Sequence, residues 1–246
     1  MLFRRILPAA LLACTVALPA AAEMTDAERD ELRAEIRAYL LENPEVIVEA
    51  MNELQAREEK AAATRDVDLV KTHAEAIFND SNSWVGGNPD GDITIVEFMD
   101  YRCGYCRKAY EEVEELVKSD GNIRYIVKEF PILGEQSVLS SRFAIAVLQL
   151  HGREAYKQAY DALITLRGDA TPESLTVVAT KLGLDPSPIL ARMDSDEVTA
   201  VIAANHELAN TLEISGTPTF VIDETMLRGY VPLDGMRQVV AGAREG

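Results

Sequence analysis

Cysteine, histidine and positive charge are all scarce in this 246-residue chain. It has three cysteines, three histidines and one tryptophan, and 24 Lys and Arg stand against 41 Asp and Glu, a formal net charge of −17. Each shortage excludes something. Three cysteines cannot staple a disulfide scaffold or fill a cysteine-rich metal site. So acidic a chain lacks the clustered cations that neutralise a nucleic-acid backbone, and no nucleic-acid partner is expected. Apolar residues, at 48%, are plentiful enough to build a core and to set the chain apart from disordered sequences. The length suits one full domain with an appendage.

Residues Met1 to Ala22 read as an export signal. Arg4 and Arg5 lead, Ile6 to Leu18 is apolar, and Ala20-Ala21-Ala22 offers small residues before Glu23. The run is shorter than the ~20 residues a membrane helix needs. Leu11-Leu12-Ala13-Cys14 loosely resembles a lipoprotein processing site, but the apolar run continues past Cys14, which favours cleavage after Ala22. The processed protein is then expected in the periplasm with two cysteines, Cys103 and Cys106.

The pattern beyond the signal is mixed α/β. Thr25 with Glu28 predicts a capping box, followed by a helix with Leu32, Ile36 and Leu40 on one face. Asn43-Pro44 opens a second helix, with Val46, Ile47, Ala50, Met51 and Leu54 on a stripe. A polar stretch, Gln55 to Asp66, reads as a linker. Helical periodicity resumes at Val70, Ala74, Ile77 and Phe78, and the turn-rich Asn79 to Asp92 ends it. Residues 23–80 thus form an N-terminal helical segment, whose stripes suit self-association. Residues 84–246 form one domain. In it Ile93 to Met99 is a strand, Tyr105 to Ser119 a helix and Ile123 to Lys128 a second strand. A helical insertion follows from about residue 134 to 212. Thr219 to Ile222 and Leu227 to Val231 form a hairpin around Asp223-Glu224-Thr225, and a last helix covers Leu233 to Ala243. A strand–helix–strand unit implies parallel pairing.

Cys103-Gly104-Tyr105-Cys106 lies where a strand gives way to a helix. Two intervening residues let both sulfurs meet on the first helical turn, where the positive end of the helix favours a thiolate at Cys103. Arg102, Arg107 and Lys108 add local positive charge. A thiolate attacks a disulfide to form a mixed disulfide, which the second cysteine resolves. Zinc would want four ligands, and His73, His151 and His206 stand alone in the sequence. A static disulfide across four residues would constrain little. No metal site is expected. Far downstream, Ser215-Gly216-Thr217-Pro218-Thr219-Phe220 sets a proline before an apolar strand, where it is either an ordinary turn or a cis bond with a purpose.

The run Ile95-Val96-Glu97-Phe98 to Cys106, with Gly216-Thr217-Pro218-Thr219-Phe220, resembles the thioredoxin superfamily. The helical insertion makes it similar to the DsbA-like branch. Leu40-Leu41-Glu42-Asn43-Pro44-Glu45-Val46-Ile47 resembles the N-terminal helical segment of ScsC-like proteins. The resemblance implies a thioredoxin fold with a large helical insertion, an N-terminal helical segment before it, and a redox-active Cys103–Cys106 pair in place of a cofactor. It implies Cys103 as nucleophile and Cys106 as resolving thiol, with Glu97 and Lys128 as a buried acid–lysine pair serving Cys106. Thr217-Pro218 would be a cis-proline loop that binds substrate beside Gly104 and Tyr105. Gly-Tyr with Thr-Pro resembles the isomerase DsbC more than DsbA, whose pattern is Pro-His with Val. A disulfide isomerase is therefore expected, with a dithiol oxidase or reductase as runner-up and a Cu(I)-binding copper-tolerance protein or a helical interaction module as rivals. The implied partners are exported proteins bearing thiols or disulfides, a membrane redox protein that recycles the pair, and further copies of this chain, a trimer among the candidates.

Overall fold

Thr25 caps the first helix, α1 (Asp26–Glu42), through a reciprocal pair of bonds. The Glu28 backbone N–H donates to Thr25 Oγ1 at 3.3 Å, and the Thr25 N–H donates to Glu28 Oε2 at 2.8 Å. The computed structural model describes residues 24–245; the export signal and Cys14 fall outside them. Among the described residues no helix is long and apolar enough to cross a membrane.

The polar stretch Gln55 to Asp66 is not a linker. Helix α2 (Glu45–Thr72) runs through it unbroken. Alanine, arginine, glutamate and lysine are strong helix formers, and an exposed turn needs no apolar stripe to stay helical. The chain divides into two units at Ala56/Arg57. In the first, α1 buries nothing, and Leu32, Ile36, Met51 and Leu54 are each about half exposed or more.

The second unit contains the end of α2 and then α3 (Ala74–Phe78), β1 (Trp84–Gly87), β2 (Ile93–Met99), α4 (Gly104–Asp120) and β3 (Ile123–Glu129). The insertion follows as α5 (Glu135–Ile164), α6 (Pro172–Lys181), α7 (Pro186–Met193) and α8 (Asp196–Thr211). Strands β4 (Thr219–Ile222) and β5 (Thr225–Arg228) and helix α9 (Leu233–Glu245) complete it. The sheet order is β1-β3-β2-β4-β5, with β2 and β3 parallel and the other pairs antiparallel.

Strand β1 lies inside the turn-rich segment and was hidden by its glycines. Trp84 stacks on Tyr156 at 5.5 Å and its Nε1–H donates to the Arg153 carbonyl at 3.0 Å. A Cβ at Gly86 would meet the Trp84 ring at 2.0 Å, so glycine there makes room for the indole. The hairpin is tighter than expected. Ile222 pairs with Thr225, leaving Asp223-Glu224 as the turn, with Asp223 at φ 48°. Asp223 also exchanges bonds with Thr94, its N–H reaching the Thr94 carbonyl and its Oδ1 accepting the Thr94 N–H.

Strands β2 and β3 are buried on both faces, as central parallel strands are. Side chains alternate, so Ile95, Met99, Tyr125 and Val127 meet α4, α5 and α9 on one face. Val96, Phe98 and Ile126 meet Val70, Ile77 and Leu212 on the other.

Candidate active site

Strand β2 ends at Met99, and Asp100 organises the turn beyond it. Its backbone carbonyl accepts the Cys103 N–H at 3.1 Å, and its Oδ1 accepts the Arg102 N–H at 2.8 Å. Its Oδ2 accepts the N–H groups of Ile132 and Leu133. One buried carboxylate thus ties the approach to the cysteines to the loop after β3. Asp100 was not among the expected site residues. An Asp directly after a strand and before a turn was the available sign.

Cys103 is the N-cap of α4, 7% exposed, and both cysteines are free thiols. Its Sγ lies 3.1 Å from the Thr217 carbonyl, to which the thiol donates. The pKa of Cys103 is pulled down to about 5. The Cys106 thiol is the strongest cause, followed by the Thr217 side chain and the backbone N–H groups of Cys106 and Tyr105, all outweighing burial. Cys106 is the opposite case. Burial, the bond it gives Cys103 and the charge of Glu97 hold it well above the ordinary thiol range. One sulfur is a thiolate at neutral pH and the other keeps its proton.

The structure brings Glu97 close enough to act on this pair but not Lys128. Glu97 is 2% exposed and accepts a hydrogen bond from the Tyr125 hydroxyl. Burial raises its pKa to about 7, Tyr125 opposes the rise, and the Cys103 charge adds to it. The expected Glu97–Lys128 pair does not form. Glu97 lies opposite Val127 in the parallel register, and Phe98 opposite Lys128. Glu97 therefore shares a face with Tyr125, while Lys128 points to the other face. There its Nζ pairs with Asp80 and donates to the Ala76 carbonyl at 2.9 Å.

A second buried acid was not expected. Glu129, at the end of β3, accepts from the hydroxyls of Tyr101 (2.8 Å) and Tyr156 (2.5 Å), and burial raises its pKa to about 7. No motif spacing marks it.

The three cations around the motif do not form an open basic patch. Arg102 Nη1 donates to the Gly168 carbonyl at 2.7 Å. Arg107 donates to the carbonyls of Tyr101 (2.8 Å) and Leu166 (3.1 Å). Lys108 Nζ sits 4.1 Å from the centre of the Tyr230 ring. The arginines bind the start of α4 to the end of α5 and the loop beyond it.

The Thr217–Pro218 peptide is cis. The Pro218 carbonyl accepts the Gly229 N–H at 2.9 Å, and Thr219 Oγ1 donates to the Gly216 carbonyl at 2.9 Å. Gly104 and Tyr105 are exposed. Cys103, Cys106, Gly104, Tyr105, Thr217 and Pro218 thus gather at one edge of the sheet, with Glu97 beneath them and Lys128 apart. Among the described residues no group of three His, Cys, Asp or Glu is placed to hold a metal.

A nucleophilic thiolate at a helix start, a protonated partner and a facing cis-proline loop, on this five-stranded sheet, define the thiol–disulfide oxidoreductase-like class. The chain belongs to the thioredoxin family, whose profile matches residues 79–241. Residues 28–61 match the N-terminal domain of copper resistance protein ScsC, making this a DsbA- and ScsC-like member. Among solved structures, a thioredoxin-like oxidoreductase from Silicibacter pomeroyi is 40% identical, with a TM-score of 0.66 over 70% of this chain and 98% of that one. The thiol-disulfide exchange protein alpha-DsbA2 from Wolbachia pipientis is 27% identical, with a TM-score of 0.68 over 74% of this chain and 98% of that one. A curated relative, the Na+/H+ antiporter NhaA 1 of Salinispora arenicola, is 26% identical over 163 residues, 66% of this chain. The chain spans 25% of that protein's length.

Proposed function

We propose that the chain is an exported, periplasmic thiol–disulfide oxidoreductase that works as a disulfide isomerase. The observation that carries the reading is the divided ionisation of the two sulfurs, with Cys103 at about 5 and Cys106 held protonated. A thiolate of low pKa attacks readily and is also a good leaving group, which an isomerase needs in order to engage and release wrong disulfides. The Cys103 thiolate attacks one sulfur of a client disulfide. A Cys103–client S–S bond forms, the client S–S bond breaks, and the second client sulfur leaves as thiolate. That thiolate can attack elsewhere in the client and free Cys103. If it does not, Cys106 gives up its proton and attacks Cys103, releasing the reduced client and leaving a Cys103–Cys106 disulfide.

Glu97 is the group to take the Cys106 proton. It is buried below the pair, and a carboxylate poised near neutrality suits proton transfer at working pH. When Cys103 ionises, the bond it gave to the Thr217 carbonyl is lost. That carbonyl then becomes an acceptor for a client backbone N–H, in the manner of strand addition. Export is supported by the name of one similar structure, a periplasmic thioredoxin-like protein of Salmonella enterica, 28% identical to this chain. A membrane redox partner is required to reset the pair, because each resolved turnover leaves it oxidised. The exposed apolar positions of α1 and α2 support self-association.

Scrambled ribonuclease is the test. Reduced protein should restore its activity, and Cys103→Ser should not. If wild type leaves scrambled substrate unchanged but oxidises reduced substrate, the enzyme is a dithiol oxidase and the isomerase assignment is wrong.

A further inference from the structure

Tyr105 contributes its backbone N–H to the Cys103 thiolate, a task that any residue other than proline could perform. Its side chain is held for something else. The ring is 63% exposed, yet it stacks on Tyr230 at 6.1 Å with 25° between the planes. Tyr230 is itself braced twice. The Lys108 ammonium lies 4.1 Å from its ring centre, and its hydroxyl donates to Glu112 Oε1 at 2.7 Å. Glu112 is fixed in turn, since its Oε2 accepts the Leu233 N–H at 2.8 Å. Gly229, just before Tyr230, is the residue whose N–H holds the Pro218 carbonyl.

These contacts close a ring around the nucleophile. From Cys103 it runs to Thr217, through Pro218 to Gly229 and Tyr230, and back by Tyr105 to the cysteine motif. An exposed side chain of an unliganded protein seldom has so many supports. Here they hold rigid an aromatic face two residues from the attacking sulfur. A client joined to Cys103 by a disulfide has to pass across that surface, so the platform is continuous with the site of chemistry.

We infer that Tyr105, positioned by Tyr230, is a stacking platform that favours clients with an aromatic side chain next to the reacting cysteine. The inference rests on the oxidoreductase function proposed for this site and names the client chemistry it prefers. The ammonium of Lys108 beside the two rings selects against a cationic side chain, which could otherwise sit on an aromatic face. Stacked aromatic pairs correspond to a preference of about 2- to 10-fold.

The test uses reduced protein and short peptides that each carry one cysteine, blocked as a mixed disulfide with a small aliphatic thiol. Tryptophan, alanine or arginine is placed on either side of the cysteine, and kcat/KM for exchange is measured for each. Wild type should favour tryptophan over alanine by about 2- to 10-fold on one flank, with the difference in KM. Tyr105→Ala should bring the ratio to about one. Tyr230→Ala should reduce it by more than half, while Tyr230→Phe, which keeps the stack, should retain it. Equal rates for all peptides, or arginine matching tryptophan, would overturn the platform while leaving the oxidoreductase intact. Full preference in Tyr230→Ala would overturn the positioning role of Tyr230. No exchange with any peptide would instead overturn the oxidoreductase function itself.

Discussion

Two cysteines three positions apart behave as chemically different groups, because the fold gives them different neighbours. Cys103 sits at the helix start with donors converging on it, and Cys106 is 1% exposed within the first turn. The Cys103 pKa of about 5 is depressed, so its thiolate is present above that value and lost as pH falls through it. Alkylation rate and ultraviolet thiolate absorbance should both titrate with a midpoint near 5. Cys106→Ala removes the strongest of the donors and should move that midpoint upward. Glu97 titrates with the opposite sign. Its folded pKa of about 7 lies above the ordinary carboxylate value, so this group costs the fold stability as pH rises from about 4.5 through 7. Glu97→Gln, which can still accept from Tyr125, should flatten that loss in denaturation measured across the window. The same change should slow release of client from a preformed mixed disulfide by about a hundredfold, the low end for a general base. A release rate that is unchanged and still rises through pH 7 would leave Glu97 no part in proton transfer.

Elements explain which residues could be read and which could not. A capping box is local, so Thr25 and Glu28 announced α1. The run Ile93 to Met99 is apolar throughout apart from Thr94 and Glu97, so β2 was legible as a buried strand. Lys128 was misplaced because its direction depends on the register between β2 and β3, and no local pattern states a register. Strand parity sends Glu97 and Lys128 to opposite faces, and Lys128 then serves Asp80 in the segment after α3. Lys128→Met should therefore cost about 3 kcal/mol in chemical denaturation, the expected effect of breaking a buried ion pair. It should leave the Cys103 thiolate midpoint where it was. A shift of that midpoint would show that the two faces communicate. Strand β1 escaped notice for a related reason. Its glycines read as a turn, and only the position of the Trp84 ring shows why a strand requires them.

At the scale of the whole molecule, the first unit shows apolar side chains that it does not bury. Leu32 is 48%, Ile36 50%, Met51 65% and Leu54 57% exposed. Short helices rarely hold together in water without burying such a face. The full protein should scatter light as an oligomer, and removal of residues 23–60 should give a monomer that retains the Cys103 thiolate. A full-length monomer would sink the proposal. The acidity that argued against nucleic acid continues up to the site, since the nearby arginines are occupied by backbone carbonyls. Client selection therefore falls to shape and aromatic contact.

By itself the sequence determined the elements whose causes are local. These are the capped helices, the apolar strands, the Cys-Gly-Tyr-Cys motif at a helix start and the proline before a strand. A cap, a periodicity or a motif needs only a few consecutive residues to be expressed. Tertiary structure alone decided the rest: that Glu97 answers to Tyr125, that Lys128 faces away, that Asp100 and Glu129 are buried, and that Tyr230 meets Tyr105. Each of those pairings joins residues 28 to 125 positions apart or depends on a strand's register, and such distances close only when the whole sheet and its helices have packed.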